Sequence, residues 1–154
     1  MSRIQLVCVL LFLGELLAPS VNAAEHGREI RSFEDVILAL TDKIDGLLVT
    51  HKLDEEMDMW HPDAYLLLEG IPLAHGLEAI RKVEETAGGA LHRMTRDYID
   101  VVPKEEGAEY VYVVYNEKWY NQEEALIADK KCVLIWRNTD QGYKIAVVMV
   151  NSNK

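Results

Sequence analysis

The spacing of apolar residues changes once along this chain, and that change sets the order of its helices and strands. Before Gly88 the apolar positions recur every three or four residues, as in Phe33, Ile37 and Leu40, which predicts helices. After Gly89 they alternate, which predicts strands. The predicted strands span residues 91–102, 110–120, 125–137 and 143–151. Short turns between them favour antiparallel neighbours, so the chain is predicted to be an α+β fold with its helices first.

Three helices and one short strand are predicted before the change. The first helix starts at Phe33 behind a capping pair formed by Ser32 and Asp35 and runs for about 20 residues. The remaining elements are a helix over residues 54–60, which Pro62 is expected to stop, a strand over residues 65–68 and a helix over residues 77–86.

Residues 60–81, WHPDAYLLLEGIPLAHGLEAIR, read as a helix end, a short strand, a glycine and proline reversal and a new helix. This segment, with its AIR triplet at residues 79–81, resembles the SnoaL-like branch of the nuclear transport factor 2-like superfamily. A second match is Trp136 and Arg137, followed by a polar turn and the Tyr143 to Ile145 strand start. The resemblance implies three N-terminal helices packed in the concave face of a strongly curved, mostly antiparallel sheet, a cone with a pocket at its wide end.

The first 23 residues have the pattern of a secretory signal peptide. Arg3 precedes an apolar core, and a small-x-small site predicts cleavage after Ala23. A membrane anchor is the alternative, but the apolar run falls short of the roughly 20 residues that a spanning helix needs, and Glu15 interrupts it. We therefore expect a secreted protein without a membrane span, with residues 24–154 forming one domain.

Net charge limits the partners that this chain can bind, and cysteine content limits the disulfides that it can form. The formal net charge is -10 without a basic cluster, so nucleic acid is not an expected partner. Cys8 leaves with the signal, and Cys132 is then expected to be a buried single thiol within a strand.

Several kinds of catalytic site lack the residues they need. The serines that remain after signal removal, Ser32 and Ser152, lie at a helix cap and near the terminus, and no nucleophile elbow is present. The histidines are isolated from one another, and no metal-ligand spacing or phosphate-binding glycine loop occurs. We therefore predict no metal site and no cofactor.

The ketosteroid isomerase branch of the resembled superfamily provides a test at single positions. Aligned through residues 79–81 and Trp136, its catalytic tyrosine falls at Ile44, its base at Leu68 and its second acid at Leu134. These side chains are hydrocarbon, so they cannot transfer a proton.

Glu69, His92 and Asp97 are the remaining catalytic candidates. Glu69 lies one residue beyond the aligned base, where a strand side chain faces the opposite side, so a solvated turn residue is the alternative. His92 lies beside Arg93 and could shuttle protons or be a strand-end surface residue. Asp97 could act as a base, or could pair structurally with a neighbouring arginine or histidine.

The two faces of the predicted sheet are expected to have different roles. Large aromatic and apolar residues are expected to line a ligand pocket, although they could also be plain core: Trp60, Tyr65, Leu68, Tyr112, Cys132, Leu134, Trp136 and Met149. On the opposite face, a homodimer contact is predicted through Lys131, Val133, Ile135 and Arg137.

Three functions fit these observations. The first is binding of a small apolar molecule without an assignable catalytic set. The second is an acid–base enzyme of isomerase, dehydratase, cyclase or epoxide hydrolase type that uses His92 or Asp97. The third is an association module whose pocket is filled by its own side chains.

Overall fold

The computed structural model of the protein describes residues 32–153, and the predicted signal peptide lies outside this range. The helices are α1 (Phe33–Val49), α2 (Leu53–Met57) and α3 (Leu77–Ala87), the last followed by a 3-10 turn at Gly88–Ala90. The strands are β1 (Trp60–Leu68), β2 (Ala74–His75), β3 (Arg93–Val102), β4 (Tyr110–Tyr120), β5 (Leu126–Thr139) and β6 (Gly142–Ser152). No helix within residues 32–153 is long and apolar enough to cross a membrane.

Helix α1 begins as its sequence predicts. The Ser32 hydroxyl oxygen accepts a hydrogen bond from the backbone N–H of Asp35 at 3.2 Å, which satisfies one of the free donors of the first turn. Ile37, Ile44 and Leu47 are buried along one side, so the predicted apolar stripe is the face that packs on the sheet.

The start of β1 corrects the predicted second helix. Helix α2 ends at Met57, and Trp60, expected at the end of that helix, is the first residue of β1. Pro62 therefore lies inside a strand. It is exposed, and it falls where the pairing of β1 with β6 is irregular, between Trp60 and Tyr65. A proline costs little there because no ladder hydrogen bond needs its missing N–H.

The six strands form one sheet in the order β2-β1-β6-β5-β4-β3. Strands β3 to β6 are antiparallel neighbours, as predicted, while β1 pairs with β6 in parallel. Irregular pairings interrupt β3, β4 and β5 near Tyr98, Trp119 and Ile135. Bulges of this kind bend and twist a strand, so they account for a sheet that curls around the helices. The predicted α+β architecture is confirmed.

The core lies between the helices and this sheet. Trp136 is fully buried, and its indole N–H donates to the Thr41 hydroxyl oxygen at 3.3 Å. That hydroxyl in turn donates to the Ile37 carbonyl at 2.8 Å, so the polar atoms at the centre of the core are satisfied. Cys132 is buried in the same region, as predicted.

Candidate functional site

A cavity of about 320 Å³ lies between the helices and the inner face of the sheet. Most of its wall is hydrocarbon or aromatic: Ile44, Leu48, Trp60, Leu66, Leu68, Ile71, Tyr115, Trp119, Leu134, Ile145, Val148 and Val150. A volume of this size holds a small organic molecule.

A row of charged side chains crosses this wall. Arg96 on β3 is directly opposite Glu117 on β4, and Glu117 is directly opposite Lys130 on β5. All three line the cavity. Cross-strand partners share a face of the sheet. The strand register therefore places a cation, an anion and a second cation side by side, and this set of three residues is here called the polar row.

Arg96 is the most buried cation of the polar row, with 5% of its side chain exposed. Its Nη2 lies 2.6 Å from Asp45 Oδ1, and its Nη1 donates to the Thr41 carbonyl at 3.1 Å. Its guanidinium also covers the Tyr115 ring, 4.3 Å from the centroid. By contrast, Nε is 3.6 Å from Glu117 Oε2 and has no hydrogen-bond partner among the described residues.

Each helix adds one carboxyl group close to the polar row: Asp45 from α1, Glu56 from α2 and Glu84 from α3. Burial raises the pKa of Asp45 to about 7 and outweighs the opposing effect of Arg96. Burial also raises the pKa of Glu84 to about 8, with Glu56 adding to the rise and Lys130 opposing it. At neutral pH the Glu84 carboxyl is therefore largely protonated and can donate a hydrogen bond.

Glu56 and Glu117 are nearly inaccessible, at 3% and 4% exposed. Burial raises the pKa of Glu56, while the indole N–H of Trp60, which donates to it at 3.2 Å, acts in the opposite direction. Glu117 accepts a hydrogen bond from the Trp119 indole N–H at 3.1 Å.

Lys130 completes the polar row from β5. Its Nζ lies 3.1 Å from the centroid of the Trp119 ring, and burial lowers its pKa. Within residues 32–153, no group of three or more potential metal ligands is present.

The residues predicted to line a pocket divide into three groups. Trp60, Leu68 and Leu134 lie on the cavity wall. Cys132 and Trp136 are buried in the core, outside the cavity lining. The last group lies on the outer face of the sheet, between 40% and 42% exposed, so the prediction is wrong for these residues: Tyr65, Tyr112 and Met149.

The predicted dimer face is the outer side of β5. Val133 and Ile135 are half-buried there, while Lys131 is exposed. Arg137 is also half-buried, with Nη1 3.3 Å from His61 Nε2.

The catalytic candidates predicted from sequence are scattered. His92 and Asp97 are exposed and do not line the cavity. Glu69 lies at the cavity rim, where its carboxylate accepts a hydrogen bond from the backbone N–H of Ser152 at 2.9 Å. The structure therefore does not bring these three residues together.

The polar row and its helix carboxyls were missed by sequence reasoning. Asp97 was considered as a partner for a neighbouring arginine, but the neighbouring Arg96 pairs with Asp45 from α1. A signal was present: Glu117 has the same alternating phase as Val111, Val113 and Tyr115, which are buried. A charged residue in the apolar phase of a strand faces the interior, and such residues are functional candidates.

The three positions aligned with the ketosteroid isomerase residues, Ile44, Leu68 and Leu134, all lie on the cavity wall. The places where that branch carries acid–base groups are thus hydrocarbon in this chain, and the ionisable groups enter from other positions.

Comparison of the whole chain with solved structures gives consistent matches. One is a ketosteroid isomerase-like protein from Erwinia carotovora atroseptica, 16% identical, with a TM-score of 0.65 over 78% of this chain and 95% of that one. Another is a nuclear transport factor 2-like protein with a cystatin-like fold from Novosphingobium aromaticivorans, 14% identical, with a TM-score of 0.64 over 77% and 80%. The chain has the nuclear transport factor 2-like cone fold.

A third structure with this cone fold, from Novosphingobium aromaticivorans, is a candidate scytalone dehydratase, 12% identical, with a TM-score of 0.61 over 79% of this chain and 84% of that one. Neither a protein-family model nor a curated protein sequence matches the chain. These identities support the fold alone, and the resemblance seen in the sequence is confirmed at that level.

Proposed function

We propose that the protein binds a small, mostly apolar molecule that carries one neutral hydrogen-bond acceptor. The observation that carries this proposal is an apolar cavity of about 320 Å³ whose wall carries two cationic hydrogen-bond donors, Arg96 and Lys130. A hydrogen bond to a charged group contributes about 1.5–3 kcal/mol, so a ligand oxygen that accepts from one of these donors gains binding free energy.

The acceptor is proposed to be neutral because acidic groups surround it. Four carboxyl groups lie at or near the polar row, against two cations, Arg96 and Lys130. Glu84 is largely protonated at neutral pH, and the other three, Asp45, Glu56 and Glu117, still outnumber the cations. A ligand carboxylate would meet repulsion and a loss of hydration in this site. A carbonyl or ether oxygen accepts the same hydrogen bonds without either cost.

Three naphthalene compounds test this ligand class. Fluorescence titration with 2-acetylnaphthalene, naphthalene and 2-naphthoate should rank the ketone first, the hydrocarbon second and the carboxylate last. Equal affinity for the ketone and naphthalene would show that the ketone oxygen accepts no hydrogen bond in the cavity, and tight binding of 2-naphthoate would contradict a neutral acceptor.

A matched pair of variants locates the binding. Val148 lines the cavity, whereas the adjacent Val147 lies on the other face of β6, so Val148→Trp fills the cavity and Val147→Trp does not. We expect at least about a tenfold loss of affinity for 2-acetylnaphthalene, about 1.4 kcal/mol, in the first variant alone. Equal effects would place the ligand elsewhere.

An acid–base enzyme is the second candidate, and Glu84 favours it. Its carboxyl group lines the cavity, makes no hydrogen bond or ion pair with a described residue and has a pKa of about 8, which suits proton transfer near neutral pH. Hydrogen–deuterium exchange at the methyl group of bound 2-acetylnaphthalene, followed by NMR, tests it. We expect exchange that Glu84→Gln abolishes and that the exposed Glu85→Gln does not change.

The third function, an association module with a filled pocket, lacks support from the cavity. The cavity has a volume of about 320 Å³ that no side chain of the described residues fills, whereas an association module of this kind would have the cavity occupied by its own side chains.

A further inference from the structure

Lys130 differs from its sequence neighbours in its surroundings. Its side chain lines the cavity and is half-buried, whereas Lys131 is exposed on the outer face of the same strand. The Lys130 ammonium lies over the Trp119 ring, with Nζ 3.1 Å from the centroid. Because adjacent strand residues face opposite sides, these two lysines form a natural comparison within one strand.

The amine of Lys130 is not engaged by an acid. Glu117 is its cross-strand partner, yet no carboxylate of the described residues lies within 4.0 Å of Nζ. Arg96 and Asp45 are paired with each other. An aromatic face holds a cation without blocking its nitrogen, so Lys130 stays open to the cavity.

Chemistry at this nitrogen requires the unprotonated amine. Removal from water disfavours the ammonium form, and burial accordingly lowers the pKa of Lys130. Lysines desolvated in apolar pockets are the ones that form Schiff bases with carbonyl compounds.

We propose that Lys130 captures an aldehyde or ketone in the cavity as an imine. This inference rests on the proposed function and specifies the ligand's acceptor as a carbonyl oxygen. The nitrogen lone pair attacks the carbonyl carbon, the C=O π pair moves to oxygen, and a proton passes from nitrogen to oxygen to give a neutral carbinolamine. Protonation of its hydroxyl then releases water as the nitrogen lone pair forms the C=N bond.

Glu84 supplies the proton for the loss of water. It lines the same cavity and is largely protonated at neutral pH. The carboxylate formed after the transfer is the counter-ion that the resulting iminium needs. When the iminium loses its proton to this carboxylate, Glu84 is restored and the overall change is amine plus carbonyl giving imine plus water.

Reductive trapping tests the capture directly. The full-length chain is incubated with 2-naphthaldehyde and sodium cyanoborohydride, and the modified peptides are identified by mass spectrometry. We expect one naphthylmethyl group per chain, located on Lys130 and formed at least about tenfold faster than on Lys131, because Lys131 is exposed on the outer face of the sheet and lies outside the cavity that holds the aldehyde. Label spread over exposed lysines, with none on Lys130, would overturn the proposal.

Two variants and a competitor complete the experiment. Lys130→Met should abolish the fast label, and Lys131→Met should leave it unchanged. If Lys130→Met does not fold, protection of the unmodified chain decides the question: 2-naphthalenemethanol, which cannot form an imine, should slow labelling of Lys130 but not of Lys131. Labelling of Lys130 that the alcohol does not slow contradicts capture within the cavity.

Binding and capture fail in distinguishable ways. If 2-naphthalenemethanol binds the unmodified chain but the aldehyde leaves Lys130 unlabelled, imine capture is wrong and the proposed binding function stands. If neither compound binds, the proposed function is wrong as well.

Discussion

Arg96 lies between a carboxyl group of helix α1 and a buried carboxyl group of the neighbouring strand β4. It pairs with Asp45 at 2.6 Å and lies opposite Glu117 on the neighbouring strand. Removing one partner of a buried ion pair leaves the other charge without compensation, which costs far more than the intact pair contributes. The stability of the fold and the chemistry of the cavity therefore depend on the same side chain.

We predict that Arg96→Met lowers the free energy of unfolding by about 3 kcal/mol, because Asp45 and Glu117 lose their cation. Urea denaturation measures this change. Arg93→Met is the control on the same strand, since Arg93 is 42% exposed and pairs with the exposed Glu124, and its effect should be small. Similar losses in both variants would show that burial of the pair does not matter.

The Glu84 carboxyl should contribute to the pH dependence of the free energy of unfolding. Its pKa in the folded protein, about 8, exceeds the ordinary value of 4.5, so the folded state binds this proton more tightly than the unfolded chain. The stability that it contributes is complete below pH 4.5 and is lost as the pH rises to about 8. Asp45 has the same sign, up to about pH 7.

Glu84→Gln should therefore flatten the fall in melting temperature as the pH rises to about 8, most clearly above about pH 7, where the contribution of Asp45 is declining. Thermal melts at half-unit pH steps measure this slope. Glu85→Gln removes a carboxyl from an exposed position of the same helix and should keep the slope. A slope that persists in Glu84→Gln would assign it to another group.

The helices and long strands of this protein were predictable because local signals agree with the fold. Helix α1 has both its cap and its apolar stripe in the sequence, and strands β3 to β6 alternate clearly between short turns. Strand β1 was only partly predicted, because Pro62 reads as a helix stop and its tolerance depends on irregular pairing with β6, about 85 residues further along.

The candidate site was less predictable than the fold. The apolar wall residues Leu68 and Leu134 follow from strand alternation, but the polar row depends on which residues of three strands lie opposite one another. Register is a property of pairing, and a one-residue slip reverses every side chain. The carboxyls of Glu56 and Glu84 depend in addition on helix packing, which the sequence does not encode locally.

The turn that leads into α3 depends on one glycine. Gly76 has φ +79°, its N–H donates to the Ala64 carbonyl at 2.9 Å, and a Cβ there would lie 3.5 Å from the Pro62 carbonyl oxygen. The position is strained for any residue with a side chain mainly because of its left-handed backbone.

Gly76→Ala should therefore lower stability by about 1 kcal/mol. Gly46→Ala is the opposite case, because Gly46 lies inside α1 with open space around its Cβ position, and it should raise stability by about 0.5–1 kcal/mol. Chemical denaturation of both variants measures whether the free energy of unfolding falls or rises in each. A stabilising Gly76→Ala would contradict the left-handed turn.

The outer face of the sheet carries a continuous apolar strip. Ile135 is directly opposite Tyr112 on β4 and Val147 on β6, and Val133 is directly opposite Met149. Tyr112 and Met149 are each more than 40% exposed. We propose that a second copy of the chain covers this strip, with a twofold axis near Ile135, because isologous pairing buries the same residues of both copies at once.

Ile135→Glu tests the proposed dimer, because it places two like charges close to the twofold axis and removes apolar area from the contact. We expect the unmodified chain to be a dimer at micromolar concentration by light scattering, and the variant to be a monomer with an unchanged circular dichroism spectrum. Leu73→Glu, at a residue 59% exposed outside the strip, adds the same charge and should remain a dimer. An unmodified chain that is already monomeric at that concentration would show that the strip has another role.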